Sequence, residues 1–276
     1  MKKCFKFIIC AAVGAAAAWA AAIKPRTKNK PDMTEFPNYD YAKGGLADFT
    51  LKRPENSIAA YKAALEGGYG VEIAVRMTKD GTPIAFSDHD LWRMCGVDGT
   101  VESTKWDDIK NLKLQETDEQ PVSLEEALKF IDARVPVIIT IKPWRDNYGT
   151  LCSQVSELLE DYGGYYVVQS EDDKVLTWYR KYTEQAVRGR ILTERKPSGR
   201  SVLDNIHCII NNMMLTNLFT APDFIAVDYA KRSNISLKLC SLLYHVPIVC
   251  MGICSEEDYE AARTADDIVI FEEIEP

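Results

Sequence analysis

The sequence predicts a closed α/β barrel of the (β/α)8 class, and three observations carry that prediction. Eight short apolar runs recur between residues 39 and 271, and amphipathic segments of helical period separate them. Such alternation implies parallel pairing, and eight units suffice to close a barrel. No glycine-rich phosphate loop follows the first run, which disfavours an open doubly wound sheet. One element breaks the alternation: the tight turn "TKDGT" folds residues 83–87 back on 71–77 as an antiparallel hairpin at the mouth.

In order, the predicted barrel strands are 39–43, 71–77, 137–142, 165–169, 187–191, 224–227, 248–251 and 268–271. Between them, "NSIAAYKAALEGG" opens on a capping Asn56 or Ser57 and stops at Gly67 and Gly68. "SLEEALKFID", "TLCSQVSELLEDYGG", "DDKVLTWYRKY", "ISLKLCSLLYH" and "SEEDYEAART" each carry apolar residues three and four apart. Residues 195–222 are less regular, and "HCIINNMMLTNLF" reads as an irregular helix over the barrel. A hairpin turn centred on Asp80 and Gly81 sets Ser87 beside Ala74, with Asp88 and His89 beside Ile73 and Glu72. Glu72, Ser87, Asp88, His89 and Asp90 then cluster at its open end.

Ahead of the barrel, residues 1–23 form a membrane anchor or signal segment and residues 24–38 a polar, proline-containing linker, leaving 39–276 as the barrel. The stretch 7–23 carries no charge, near the lower limit for a spanning helix. Trp19 and the following Lys24, Arg26, Lys28 and Lys30 resemble an interfacial anchor with a basic collar. A single-pass membrane location is therefore expected, with secretion after cleavage at "AAA" as the alternative.

Composition narrows the function classes. Seven of the 33 Lys and Arg fall in the first 30 residues with no acid among them, so the rest of the chain is strongly acidic. That surface repels nucleic acid, which is excluded as a partner. The six cysteines beyond the first segment, Cys95, Cys152, Cys208, Cys240, Cys250 and Cys254, follow no disulfide or zinc spacing and read as free thiols.

Within this frame "YAKGGLAD", "RPENSIAAYKAALEGGYGVEIAV", "TKDGTPIAFSDHDLWRMCGVDG", "VIITIKP" and "PIVCMGICSEED" follow one another as the segments of the glycerophosphodiester phosphodiesterase family do. The chain resembles that family from residue 39 onward. The resemblance implies a TIM-like barrel in lipid metabolism that hydrolyses phosphodiesters with two histidines and a divalent cation held by three carboxylates. Here the family's Ala-His-Arg-Gly reads Ala42-Lys43-Gly44-Gly45, and its Glu-x-Asp reads Glu72-Ile73-Ala74. Its His-Asp reads Ser87-Asp88, its Glu-x-Lys reads Thr140-Ile141-Lys142, and the tryptophan usual in the seventh strand is Met251.

These substitutions fall on the chemistry. Ala74 and Thr140 remove two of three metal carboxylates and leave Glu72, so no metal is expected; Ca2+ or Mg2+ belongs only to an active alternative. Ser87 cannot serve as acid or base, and Lys43 could only with strong desolvation. The expectation is a catalytically degenerate barrel that binds a glycerophosphodiester or phosphate through Lys43, Glu72 and Lys142. In the competing reading of these cations, they merely neutralise Glu72 and Asp88. His89, two residues beyond Ser87 on the same face, is the candidate rescue for a rearranged active enzyme. A structural or interaction barrel without a small ligand is the third reading.

Overall fold

The computed structural model describes residues 13–194, 201–265 and 267–276. Eight parallel strands close a barrel: β1 (Tyr41–Lys43), β2 (Gly70–Met77), β4 (Val137–Ile141), β5 (Tyr166–Ser170), β6 (Arg188–Leu192), β7 (Phe224–Asp228), β8 (Ile248–Ile253) and β9 (Ile268–Phe271). Closure comes from β1, which pairs with β2 on one side and β9 on the other. The antiparallel β3 (Pro83–Ala85) hangs from β2 and forms the expected hairpin.

Helices between the strands begin where the sequence supplies a cap. Ser57 accepts from Ala60 N, Ser123 and Glu126 form a reciprocal capping box, and Asn234 and Ser255 cap two later helices. Asn56, the other capping candidate, is used elsewhere. The "HCIINN" run does form a helix, Val202–Asn212, following β6.

Inside the barrel, Tyr41, Ile138, Val167, Phe224, Val249 and Ile270 pack as one buried cluster, and Phe36 joins it from below. Gly70 and Gly189 make room for two of these rings: a Cβ at Gly70 would lie 2.5 Å from the Tyr41 ring, and one at Gly189 2.1 Å from that of Phe224. Alternation along the strands then sends Lys43, Glu72, Ala74, Thr140 and Lys142 toward the opposite, C-terminal end. This is the end at which barrels of this architecture build their sites.

The N-terminal expectation requires correction. Residues 1–12, part of the expected anchor, lie outside the described residues. From residue 13 to residue 22 the chain is helical, and among the described residues no helix is long and apolar enough to cross a membrane. The single-pass location is thereby overturned. Where the segment ends it packs on the barrel: Ile23 is buried, Tyr244 Oη donates to Ala20 O (2.7 Å), and Asn217 Nδ2 donates to Ile23 O (3.0 Å). Residues 24–38 are docked as well. The Arg26 guanidinium is buried 3.7 Å from Asp223 and donates to Glu184 O, while the Phe36 ring sits 4.8 Å from that of Phe224.

Candidate functional site

At the mouth, β1 ends in Lys43, whose Nζ lies 2.5 Å from Glu272 Oε2, just past β9. Burial works against the Lys43 charge. The hydrogen bond and charge of Glu272, helped by Glu72 and Glu55, outweigh it and hold its pKa above the ordinary lysine value. Sequence reasoning missed Glu272; its one signal was the inward alternation Ile268, Ile270, Glu272.

Glu72 is buried, with Gly44 N 3.3 Å from its Oε2. Burial raises its pKa against the opposing pull of the Thr140 hydrogen bond and the Lys142 and Lys43 charges. Thr140 Oγ1 also accepts from Gln169 Nε2 at 2.9 Å. Thr140 thus links Glu72 to Gln169 in one hydrogen-bond chain.

The hairpin register differs from expectation by one residue. Val75 pairs with Ala85 and Phe86 N donates to Ala74 O, so Ser87 follows opposite Ile73 and not beside Ala74. Asn56 ties the two segments together: its Nδ2 donates to Ser87 Oγ (3.0 Å) and its Oδ1 accepts from Ala74 N (3.3 Å). A left-handed backbone at Asn56, φ 55°, makes that reach available to it. The Ser87 carbonyl accepts from both Lys142 Nζ and Arg76 Nε, each at 3.2 Å.

The remaining acids and the imidazole of the open end do not gather on one another. Asp88 pairs with Arg93, which also grips Glu55 at 2.7 Å, and Asp90 accepts from Trp92 N. His89 Nδ1 is 2.7 Å from Glu102 Oε2, and its ring stacks on Trp144 with centroids 3.7 Å apart. Glu102 simultaneously takes Arg76 Nη1 at 3.0 Å. Neither Glu102 nor Arg76 was legible as a site residue, because the link from His89 to Glu102 crosses a loop.

The mouth is divided. One cavity of about 650 Å3 is lined by Arg76, Thr140, Lys142, Ser170, His207 and Asn211, among others. A second of about 430 Å3 holds Lys43 and Glu272 together with Asp48, Arg53 and Arg93. Lys142 therefore opens on a different space from Lys43. Among the described residues Lys43 has a carboxylate within ion-pair distance and Lys142 has none.

The residues at the metal positions do not fit a divalent cation. A hard cation takes about six oxygen ligands, several of them charged. Glu72 is the one carboxylate of the three; Ala74 offers no donor, and the Thr140 hydroxyl is engaged with Glu72 and Gln169. Among the described residues no three metal-binding side chains converge.

Comparison with known proteins places this geometry. The model of the glycerophosphoryl diester phosphodiesterase family matches residues 44–235. A glycerophosphodiester phosphodiesterase of Caldanaerobacter subterraneus is 32% identical over 89 residues, and an uncharacterized protein of Bacillus subtilis 29% identical over 92. Those alignments take in 32% and 33% of this chain and span about a third of the curated relatives' own length, 33% and 35%. Among solved structures, an Oleispira antarctica phosphodiesterase in complex with the product sn-glycerol-3-phosphate superposes with a TM-score of 0.67 at 17% identity, over 86% of this chain and 94% of that one. A glycerophosphodiester phosphodiesterase from Parabacteroides distasonis gives 0.67 at 17% identity, over 85% and 92%. With its family model matched across most of the barrel, the chain belongs to the glycerophosphoryl diester phosphodiesterase family.

Proposed function

We propose that this barrel is a catalytically degenerate family member that binds a phosphorylated ligand at its mouth without hydrolysing it. The observation that carries the reading is the Lys43–Glu272 pair. A general base at neutral pH needs a pKa near the operating pH. Lys43, standing where the family has its first histidine, is shifted upward, away from that range. Ser87, at the second histidine position, has no proton to exchange near neutral pH.

Ligand binding is assigned to Lys142. It lines the larger cavity, and among the described residues its Nζ donates to one acceptor, the uncharged Ser87 carbonyl, so N–H donors are left for an anion although its charge also acts on Glu72. The related Oleispira antarctica fold holds sn-glycerol-3-phosphate, which makes that compound the natural probe. Calorimetric titration of the full chain with sn-glycerol-3-phosphate is expected to give saturable binding that Lys142→Met abolishes. Absence of binding would favour a structural or interaction barrel.

One observation favours a second reading, an active enzyme with a rearranged site. His89 Nδ1 against Glu102 is the arrangement that orients an imidazole for proton transfer. Against it, His89 is stacked on Trp144 and does not line the cavity that Lys142 opens on. Loss of any turnover in His89→Ala is the result that would support this reading.

A further inference from the structure

Resting on the ligand-binding reading, we infer that Arg76 is a second anion anchor, and that Glu102 sets its strength by competing for the same guanidinium. The ligand is accordingly a phosphate group held between Arg76 and Lys142.

Geometry carries the inference. Arg76 Nε and Lys142 Nζ bond the same oxygen, Ser87 O, at 3.2 Å each. The two cations are therefore neighbours, no farther apart than those two contacts laid end to end. Both side chains line the 650 Å3 cavity. Arg76 lies in β2 and Lys142 directly follows the adjacent β4, where Lys142 N donates to Val75 O (2.9 Å), so the backbone beside the sheet ties the two together.

The donor count leaves room for a ligand. An arginine carries five N–H donors and a lysine three. Among the contacts of the described residues, Arg76 uses Nε on Ser87 O and Nη1 on Glu102, and Nη2 has no protein partner. Lys142 uses one N–H on Ser87 O. Phosphate oxygens suit an arginine fork plus a lysine point charge.

Glu102 is the competitor. It holds Arg76 at 3.0 Å and His89 at 2.7 Å, and its side chain is largely buried. Its charge lies against the same guanidinium that faces the cavity, and repels an incoming phosphate. Removing that charge while keeping the shape should strengthen anion binding.

The test is calorimetric titration of the full chain with sn-glycerol-3-phosphate, and with inorganic phosphate as the minimal probe. Arg76→Gln is expected to weaken binding at least about tenfold. Arg76→Lys keeps the charge and loses the fork, and should fall between Arg76→Gln and the unaltered chain. Glu102→Gln is expected to tighten binding several-fold, a change of sign that a merely structural Arg76–Glu102 pair would not give. Thermal melts of each variant show whether the barrel is intact. If the unaltered chain binds neither probe, the ligand-binding reading itself falls. If it binds with Lys142 required, while Arg76→Gln changes nothing or Glu102→Gln weakens binding in a folded protein, this inference alone is overturned.

Discussion

The Lys43 ammonium and the Glu272 carboxylate meet at 2.5 Å across the junction of β1 and the chain following β9, where the barrel closes on itself. This contact holds Lys43 as a positive charge, its pKa above the ordinary lysine value. In a side-chain NMR titration, Lys43 is expected to lose its proton above the ordinary lysine range, and Glu272→Gln to lower that midpoint. A midpoint near neutrality would restore Lys43 as a candidate base.

Glu72 supplies a pH-dependent stability test. Its folded-state pKa is raised, chiefly by burial, so the folded protein holds this proton more tightly than the unfolded chain does. The stabilising contribution is complete below the unfolded value and is lost as pH rises through the folded one. Glu72→Gln removes the titration, so its melting temperature should gain on that of the unaltered protein as pH rises above the ordinary carboxylate range. A constant or shrinking difference would mean that Glu72 is stabilised as a carboxylate. Millimolar Ca2+ or Mg2+ should leave both melting curves unmoved, since one carboxylate does not make a hard-cation site.

Gly44 limits how the family site can be rebuilt. Its φ is 64°, and a Cβ there would lie 3.0 Å from Glu55 Cβ and 3.1 Å from Asn56 N. Any side chain in that conformation costs about 1–2 kcal/mol before the crowding is counted. Gly44→Arg alone should therefore lower the melting temperature. Combined Lys43→His, Ala74→Asp, Ser87→His and Thr140→Glu is expected to create metal-dependent hydrolysis, and adding Gly44→Arg to reduce stability further. Hydrolysis absent from a folded quadruple variant would locate the defect outside these positions.

The N-terminal segment bears on stability. Asp223 is buried with its pKa raised by desolvation, and Arg26 is one of the charges opposing that rise. Arg26→Ala leaves a buried acid short of a partner and should cost roughly 3 kcal/mol in urea unfolding. Phe36→Ala, which empties the space against Tyr41 and Phe224, should cost about 3–5 kcal/mol. Losses under ~0.5 kcal/mol, the scale of surface substitutions, would show the segment to be loosely attached.

Much of this fold was legible because apolar strand runs and helix caps are local signals. All eight barrel strands and the hairpin fall within a few residues of the stretches that sequence pattern marks. The hairpin marked Glu72, and the family resemblance, not a local pattern, pointed to Thr140 and Lys142. What escaped was decided between distant segments. Nothing local ties Glu272 to Lys43, Glu102 to Arg76 and His89, or Asn56 to Ser87. The hairpin register slipped by one because the turn residues fix a loop and not the pairing beyond it. The anchor expectation failed for a related reason. An alanine-rich, charge-free run reads as apolar, yet Trp19 and Ile23 at its end pack against Leu237 and Cys240 of the barrel.

The central claim is that chemistry has been lost while the barrel remains. General acid–base catalysis typically contributes ~10² to 10⁴ in rate, which on the proposed reading is forfeited at Lys43 and Ser87. The most direct measurement is hydrolysis of glycerophosphodiesters by the unaltered full chain with added Ca2+ or Mg2+, run beside His89→Ala. The expected result is no metal-dependent turnover in either protein; metal-dependent hydrolysis in the unaltered chain that disappears in His89→Ala would contradict the account.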